Sequence, residues 1–184
     1  MSRTNFTGMS MIQLLVGYEF FDSGWNKLFT KDSFVLGMPD ALKGMIQGQS
    51  GWYVNFVNNV AIPHAALFGY LVEWGEFLAG AGLILAALLF LFRRQEDGLL
   101  HRISSILSIA ALAGGVFMAL NFYIAGGAPS PFPGLNDPNG EGVTIDIFLP
   151  LMSLVLLWWN ASGLLAAGKI VLPHSERDKG RMIA

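Results

Sequence analysis

Four apolar stretches of the chain are long enough to cross a membrane as helices, for which about 20 residues are needed. The second stretch is the most apolar, the third has no charged residue, and the first is the weakest because it carries three charges. This pattern predicts an all-α fold, an integral membrane four-helix bundle that forms one domain over residues 1–184. The predicted spans lie at about 10–29, 65–92, 103–124 and 143–167.

The connection between the first two spans is not a plain linker. A Pro-Asp pair, Pro39 and Asp40, predicts a helix start. We therefore expect one or two short helices on the outer membrane surface. Apolar residues at helical spacing and aromatic residues typical of membrane interfaces follow the pair: Leu42, Met45, Ile46, Trp52, Tyr53 and Phe56. The connection at 125–142 is rich in Gly and Pro and is expected to be irregular.

Composition narrows the class of protein. Hydrophobic residues make up 53% of the chain and charged residues 13%, against roughly 25% charged in soluble domains. The net charge is −2 and the basic residues flank the spans, so we expect no nucleic-acid partner. The absence of cysteine excludes disulfides, thiolate nucleophiles, iron–sulfur ligation and covalent haem attachment.

Lys and Arg residues in the connections predict the orientation, because they are enriched on the cytoplasmic side. With the N-terminus in the cytoplasm, eight of the 11 Lys and Arg residues lie inside. Only Lys27, Lys31 and Lys43 lie outside. Both termini are therefore predicted to be cytoplasmic.

Ionisable side chains inside the spans are the candidate functional residues. Charge in hydrocarbon is costly and usually faces a bundle interior, a cavity or a partner charge. The six residues are Glu19, Asp22, Lys27, Glu73, Glu76 and Asp146.

Their spacing predicts one shared polar region. Glu19 and Asp22 are three residues apart, as are Glu73 and Glu76, and such pairs share a helix face. Lys27 is expected on roughly the same side as the first pair. Asn121 and Asp146 lie in the outer half of their spans. Four helices would then direct polar groups to one region that opens outward.

Two other interpretations remain open. The charges can neutralise one another and hold the helices together without chemistry. Carboxylates alone can hold a hard metal ion, but nothing in the sequence fixes a geometry, so we predict no metal or haem. His64 is expected to be an interfacial residue rather than a ligand, because no second histidine is near.

Three segments resemble a known family. GYEFFDSGWNKLF, residues 17–29, resembles the opening signature of the DoxX superfamily of four-span bacterial and archaeal membrane proteins. EWGEFLAGAGLIL, residues 73–85, is similar to its second-helix pattern, and NFYIAGGAPSPFPG, residues 121–134, resembles the DoxD branch. The DoxD protein is the large subunit of thiosulfate:quinone oxidoreductase.

The resemblance implies a quinone-linked oxidoreductase subunit in the bacterial or archaeal cytoplasmic membrane, with a second subunit as partner. Thiosulfate fits less well, because Lys27 is the one cation among the spans and acids outnumber it. The residues that would shape the catalytic site are Glu19, Asp22, Lys27, Glu73 and Glu76. The residues that would contact the quinone are Trp25, Trp74, Phe77, Asn121 and Asp146.

A role without catalysis is the alternative. The chain would then be an accessory subunit that packs against a larger respiratory or photosynthetic membrane complex and stabilises it. The long second span and the ridge of small residues at Ala111, Gly115 and Ala119 suit partner contact equally well.

Overall fold

The computed structural model describes residues 3–29, 33–92, 98–125 and 145–170. Within these residues the fold is helical and contains no strand, which confirms the all-α prediction. A π-helical turn, Val57–Ala61, precedes the fourth helix. The helices are α1 (Arg3–Phe29), α2 (Phe34–Met45), α3 (Trp52–Phe56), α4 (Ala65–Phe92), α5 (Gly98–Ala125) and α6 (Ile145–Ile170). Most of the connection at 125–142, predicted to be irregular, lies outside the described residues.

Three helices are long and apolar enough to cross a membrane. They contain the candidate spans Ala65–Phe92, Leu99–Asn121 and Ile147–Leu165, close to the second, third and fourth predicted stretches. The chain is therefore a multi-pass membrane protein. Among the described helices α1 is equally long, at 27 residues, but it is not among the three.

The predicted helix start at Pro39 is wrong. Helix α2 begins at Phe34, and Pro39 lies inside it. The reason is tertiary packing, since Val35 and Met38 are buried on one face. Val35 lies directly over Gly69 of α4, where an added Cβ would be 3.1 Å from the Val35 Cα. The apolar row that orients this helix thus starts before the proline.

One buried layer connects the four long helices. Val16 and Phe20 come from α1, Leu83 from α4, Leu112 from α5 and Leu156 from α6. The three leucines are fully buried, with 0% exposure. Because lipid is as apolar as a leucine side chain, close van der Waals packing rather than escape from water stabilises such a layer in a membrane.

Glycines bring α1 and α4 into backbone contact. A Cβ on Gly24 would lie 2.6 Å from the Phe77 Cα, and one on Gly80 would lie 2.7 Å from the Gly17 carbonyl oxygen. A Cβ on Gly17 would lie 2.9 Å from the Leu83 Cβ. No side chain fits at these three positions, so the two helices pack along their glycines, as small residues allow in membranes.

Candidate functional site

Lys27, Ser23 and Glu76 form an ion-pair site between α1 and α4. The Lys27 ammonium donates to Glu76 Oε2 at 2.5 Å and to Ser23 Oγ at 2.6 Å. The Ser23 hydroxyl donates to the same Glu76 oxygen at 2.9 Å. The Glu76 side chain is 4% exposed and that of Lys27 is 22% exposed. The carboxylate is therefore enclosed, while the ammonium lies at the edge of the site.

The local sequence explains this arrangement. Ser23 and Lys27 are one helical turn apart, so both face α4. Gly24 lies between them and lets the α1 backbone approach α4 at Glu76. Helix α2 covers the site, since the Phe34 ring centroid lies 5.5 Å from the Lys27 ammonium, within cation–π range.

Glu73 is a second enclosed carboxylate. It lies one turn before Glu76 on the same buried face of α4 and is 6% exposed. Neither of the two ion pairs among the described residues includes it. Glu73 and Glu76 therefore both lie on the buried face of α4, and Glu76 pairs with Lys27.

An aromatic cluster lies on the same helix pair. The Phe21 ring centroid is 5.6 Å from Trp25 and 5.2 Å from Phe77. The Trp25 and Phe29 rings are tilted by 40° with their centroids 4.3 Å apart, and Trp74 meets Phe77 edge-on at 6.1 Å. Both tryptophans are nearly half exposed, Trp25 at 45% and Trp74 at 48%. The three aromatic residues singled out from the sequence therefore do come together, around Phe77, on the same helix pair that carries the ion pair.

Glu19 and Asp22 do not turn inward, contrary to the sequence prediction. Both are exposed on α1, and Asp22 accepts a hydrogen bond from Asn26 Nδ2 at 3.1 Å. The expectation that Lys27 shares their side is also wrong. At 100° per residue, Lys27 is turned by about 140° from Asp22 around the helix.

The remaining predicted residues, Asn121 and Asp146, belong to α5 and α6 rather than to the two helices of the ion pair. The Asn121 side chain donates from Nδ2 to the Phe117 carbonyl of its own helix at 2.7 Å. The backbone carbonyl of Asn121 accepts from the Tyr53 hydroxyl at 3.5 Å. Burial raises the pKa of this tyrosine. Asp146 lies in the first turn of α6, and its side chain is outside the described part of the chain. His64 is exposed just before α4.

A second polar cluster was missed from the sequence. Gln13 Nε2 donates to Ser108 Oγ at 2.9 Å and to the Leu83 carbonyl at 3.2 Å. Asn160 Nδ2 donates to Gln13 Oε1 at 3.2 Å. This polar layer joins all four long helices, and its side chains are almost fully buried. In the sequence, Gln13, Ser108 and Asn160 are single polar residues within apolar stretches. Because they carry no charge, nothing in the sequence marked them as members of one buried cluster.

We expect Gln13→Leu to lower the free energy of unfolding by about 1 kcal/mol, the scale of interhelical hydrogen bonds in membranes. The variant removes the donor to Ser108 and the acceptor for Asn160. Thermal unfolding in detergent measures the effect. Gln47→Leu, at an exposed turn, is the matched control and should leave stability unchanged; equal losses in both variants would contradict a structural role for the polar layer.

No group of three or more His, Cys, Asp or Glu side chains is placed to hold a metal ion in the described part of the chain. The chemistry available there is proton exchange at carboxylates, charge pairing and ring stacking. Comparison with protein-family models, curated proteins and solved structures finds no match to this chain.

Proposed function

We propose that the chain is a DoxX-like membrane subunit of a quinone-linked oxidoreductase, with the quinone ring at the aromatic cluster and with Glu73 and Glu76 passing protons to it. The observation that carries the proposal is that the Lys27–Glu76 pair and the Trp25–Phe77 ring contact, 6.2 Å between centroids, both join α1 to α4 at neighbouring residues of the chain. The family assignment rests on the resemblance of the three sequence segments.

We also propose that α1 is a fourth membrane span, the first in chain order, and that α2 and α3 lie on the outer membrane surface. Support comes from the packing of α1 along α4, which is a candidate span. Gly80 and Leu83, which contact α1, lie near the middle of α4. The bias of Lys and Arg residues supports the further proposal that both termini lie in the cytoplasm.

Ring contacts and lipid access favour a quinone. The quinone headgroup is a flat conjugated ring, and aromatic side chains prefer offset or edge-on contacts with such rings. Trp25 and Trp74 are each about half exposed on the helix surface, so a lipid-soluble molecule can reach them from the bilayer.

Proton supply favours the same position. Reduction of a quinone to a quinol takes two electrons and two protons. Glu73 and Glu76 are enclosed side chains that directly precede Trp74 and Phe77 in the sequence. A positioned acid speeds proton transfer. The electrons come from a donor outside this chain: in the DoxD-type reaction two thiosulfate ions lose one electron each and join as tetrathionate, and the second subunit would bind them.

We expect Glu73→Gln and Lys27→Met to lower the rate of quinone reduction about tenfold or more, the lower range of acid catalysis. The amide cannot donate the proton, and the methionine removes the ammonium that Glu76 contacts. The assay is reduction of a short-chain quinone by the complex isolated with its partner, with thiosulfate as electron donor.

Control variants separate catalysis from folding. Asp40 and Lys43 form an exposed ion pair on α2, and Asp40→Asn should retain the wild-type rate. Binding is followed by quenching of tryptophan fluorescence, which Trp74→Leu should weaken and Trp158→Leu, an exposed residue of α6, should not. Wild-type rates in assembled Glu73→Gln and Lys27→Met variants would refute the catalytic assignment.

An accessory role remains the second candidate, and one observation favours it. Lys27 already pairs with Glu76, so the ammonium is not placed to meet a substrate anion. In that role the chain would stabilise a larger respiratory or photosynthetic complex. Isolation in a fixed ratio with a pigment or cytochrome complex, without thiosulfate-dependent quinone reduction, would decide for it.

A further inference from the structure

With α1 as the fourth membrane span proposed above, one of its faces exposes carboxylates near the centre of the bilayer. Gly17 and Phe21 contact Leu83 and Gly80, near the middle of the apolar helix α4. Glu19 lies between these two contacts along α1. The register of the two helices therefore puts Glu19 level with the middle of α4, whatever the hydropathy of α1.

The carboxylates are part of a continuous exposed face of α1. Leu15 is 72% exposed and Tyr18 61% exposed, whereas Val16 and Phe20 on the opposite side are buried. Apolar residues thus surround the acids along the helix, as expected for a surface that packs against another helix. The exposed face consists of Met11, Leu15, Tyr18, Glu19, Asp22 and Asn26.

The charge of this face is not balanced within the described residues. Lys27, the nearest cation on α1, pairs with Glu76. Lys43 pairs with Asp40 on α2. Asp22 accepts the Asn26 amide, which orients the carboxylate without neutralising it. Charged side chains at this depth require a partner charge or a polar cavity.

We propose that the exposed face of α1 packs in the membrane against one helix of another subunit, an apolar helix that carries a lysine or arginine level with Glu19 and Asp22. A second copy of this chain fits poorly, because it would bring four carboxylates together. Lipid headgroups do not reach the required depth. The inference rests on the proposed membrane span α1 but not on quinone chemistry, so it holds whether or not the ion-pair site is catalytic.

The test uses a defined probe with the full-length chain in vesicles. Two labelled membrane-spanning peptides of leucine and alanine differ only at the centre, where one has lysine and the other leucine. Energy transfer to the labelled protein measures the affinity of each. We expect the lysine peptide to bind about tenfold more tightly than the leucine peptide, as an interhelical polar contact provides.

The double variant Glu19→Gln/Asp22→Asn should abolish that preference, and Asp40→Asn, at an exposed acid of α2, should keep it. The double variant changes only exposed side chains, so folding is expected to persist and is checked by thermal unfolding. Equal binding of the two peptides to the wild-type chain would overturn the proposal. So would a lysine preference that survives in the double variant, or self-association of the wild-type chain through this face.

Discussion

Replacement of Lys27 by methionine is expected to lower the free energy of unfolding by about 3 kcal/mol, because removal of one partner leaves an enclosed charge without compensation. Glu76 is the residue that loses its partner charge, and its side chain is only 4% exposed. Glu76→Gln should cost less, because Lys27 is 22% exposed and keeps its contact with Ser23. Thermal or denaturant unfolding in detergent measures both effects.

The double variant Lys27→Met/Glu76→Gln provides the decisive comparison. It removes both charges, and buried ion pairs replaced by neutral residues often cost little. We expect it to be more stable than Lys27→Met alone. Lys43→Met is the matched control, because the Lys43–Asp40 pair is exposed on both sides and such pairs contribute about 0–1 kcal/mol. A double variant as unstable as the single one would contradict this account of the ion-pair site.

Gly24→Ala is expected to destabilise the protein by about 2 kcal/mol, within the range for overpacking. The added methyl would lie 2.6 Å from the Phe77 Cα and 2.9 Å from the Glu76 carbonyl carbon. Both are backbone atoms, so no side-chain rotation relieves the clash and the helices must separate. The separation also displaces Ser23 and Lys27 from Glu76, so we expect quinone reduction to fall with stability.

Gly114→Ala is the control for this prediction, and the sign of its effect should differ. A Cβ on Gly114 meets nothing within 4 Å. Alanine favours a helix interior over glycine by about 1 kcal/mol, so this variant should be as stable as wild type or more stable. Unfolding measurements on both variants compare the same substitution in two helices. Equal destabilisation would show that the glycine contacts do not hold α1 on α4.

The sequence predicts the helices well because apolar length is a property of each segment alone. Helices α4, α5 and α6 contain the second to fourth predicted stretches nearly residue for residue. The start of α2 was misplaced because a proline signal is local, whereas the burial of Val35 depends on Gly69 in another helix.

The candidate site was predicted in part. The burial of Glu73 and Glu76 follows from their place in a strongly apolar helix, where the polar side must face inward. Helix α1 is not divided into one polar side and an otherwise apolar surface, so the positions of its charges did not reveal which side meets α4. The glycines answer that question, since Gly17 and Gly24 mark the face in contact and leave Glu19 on the other side.

The close contact between α1 and α4 bears on how the chain is made. A charge near the centre of a helix raises the cost of insertion by about 2.5–3.5 kcal/mol, and α1 carries Glu19 and Asp22. For α1 as the proposed fourth span, we therefore expect stable insertion only after α4 has been synthesised and offers its glycine surface. Biosynthesis would then depend on a late pairing of the first long helix with a later one, rather than on insertion in strict chain order.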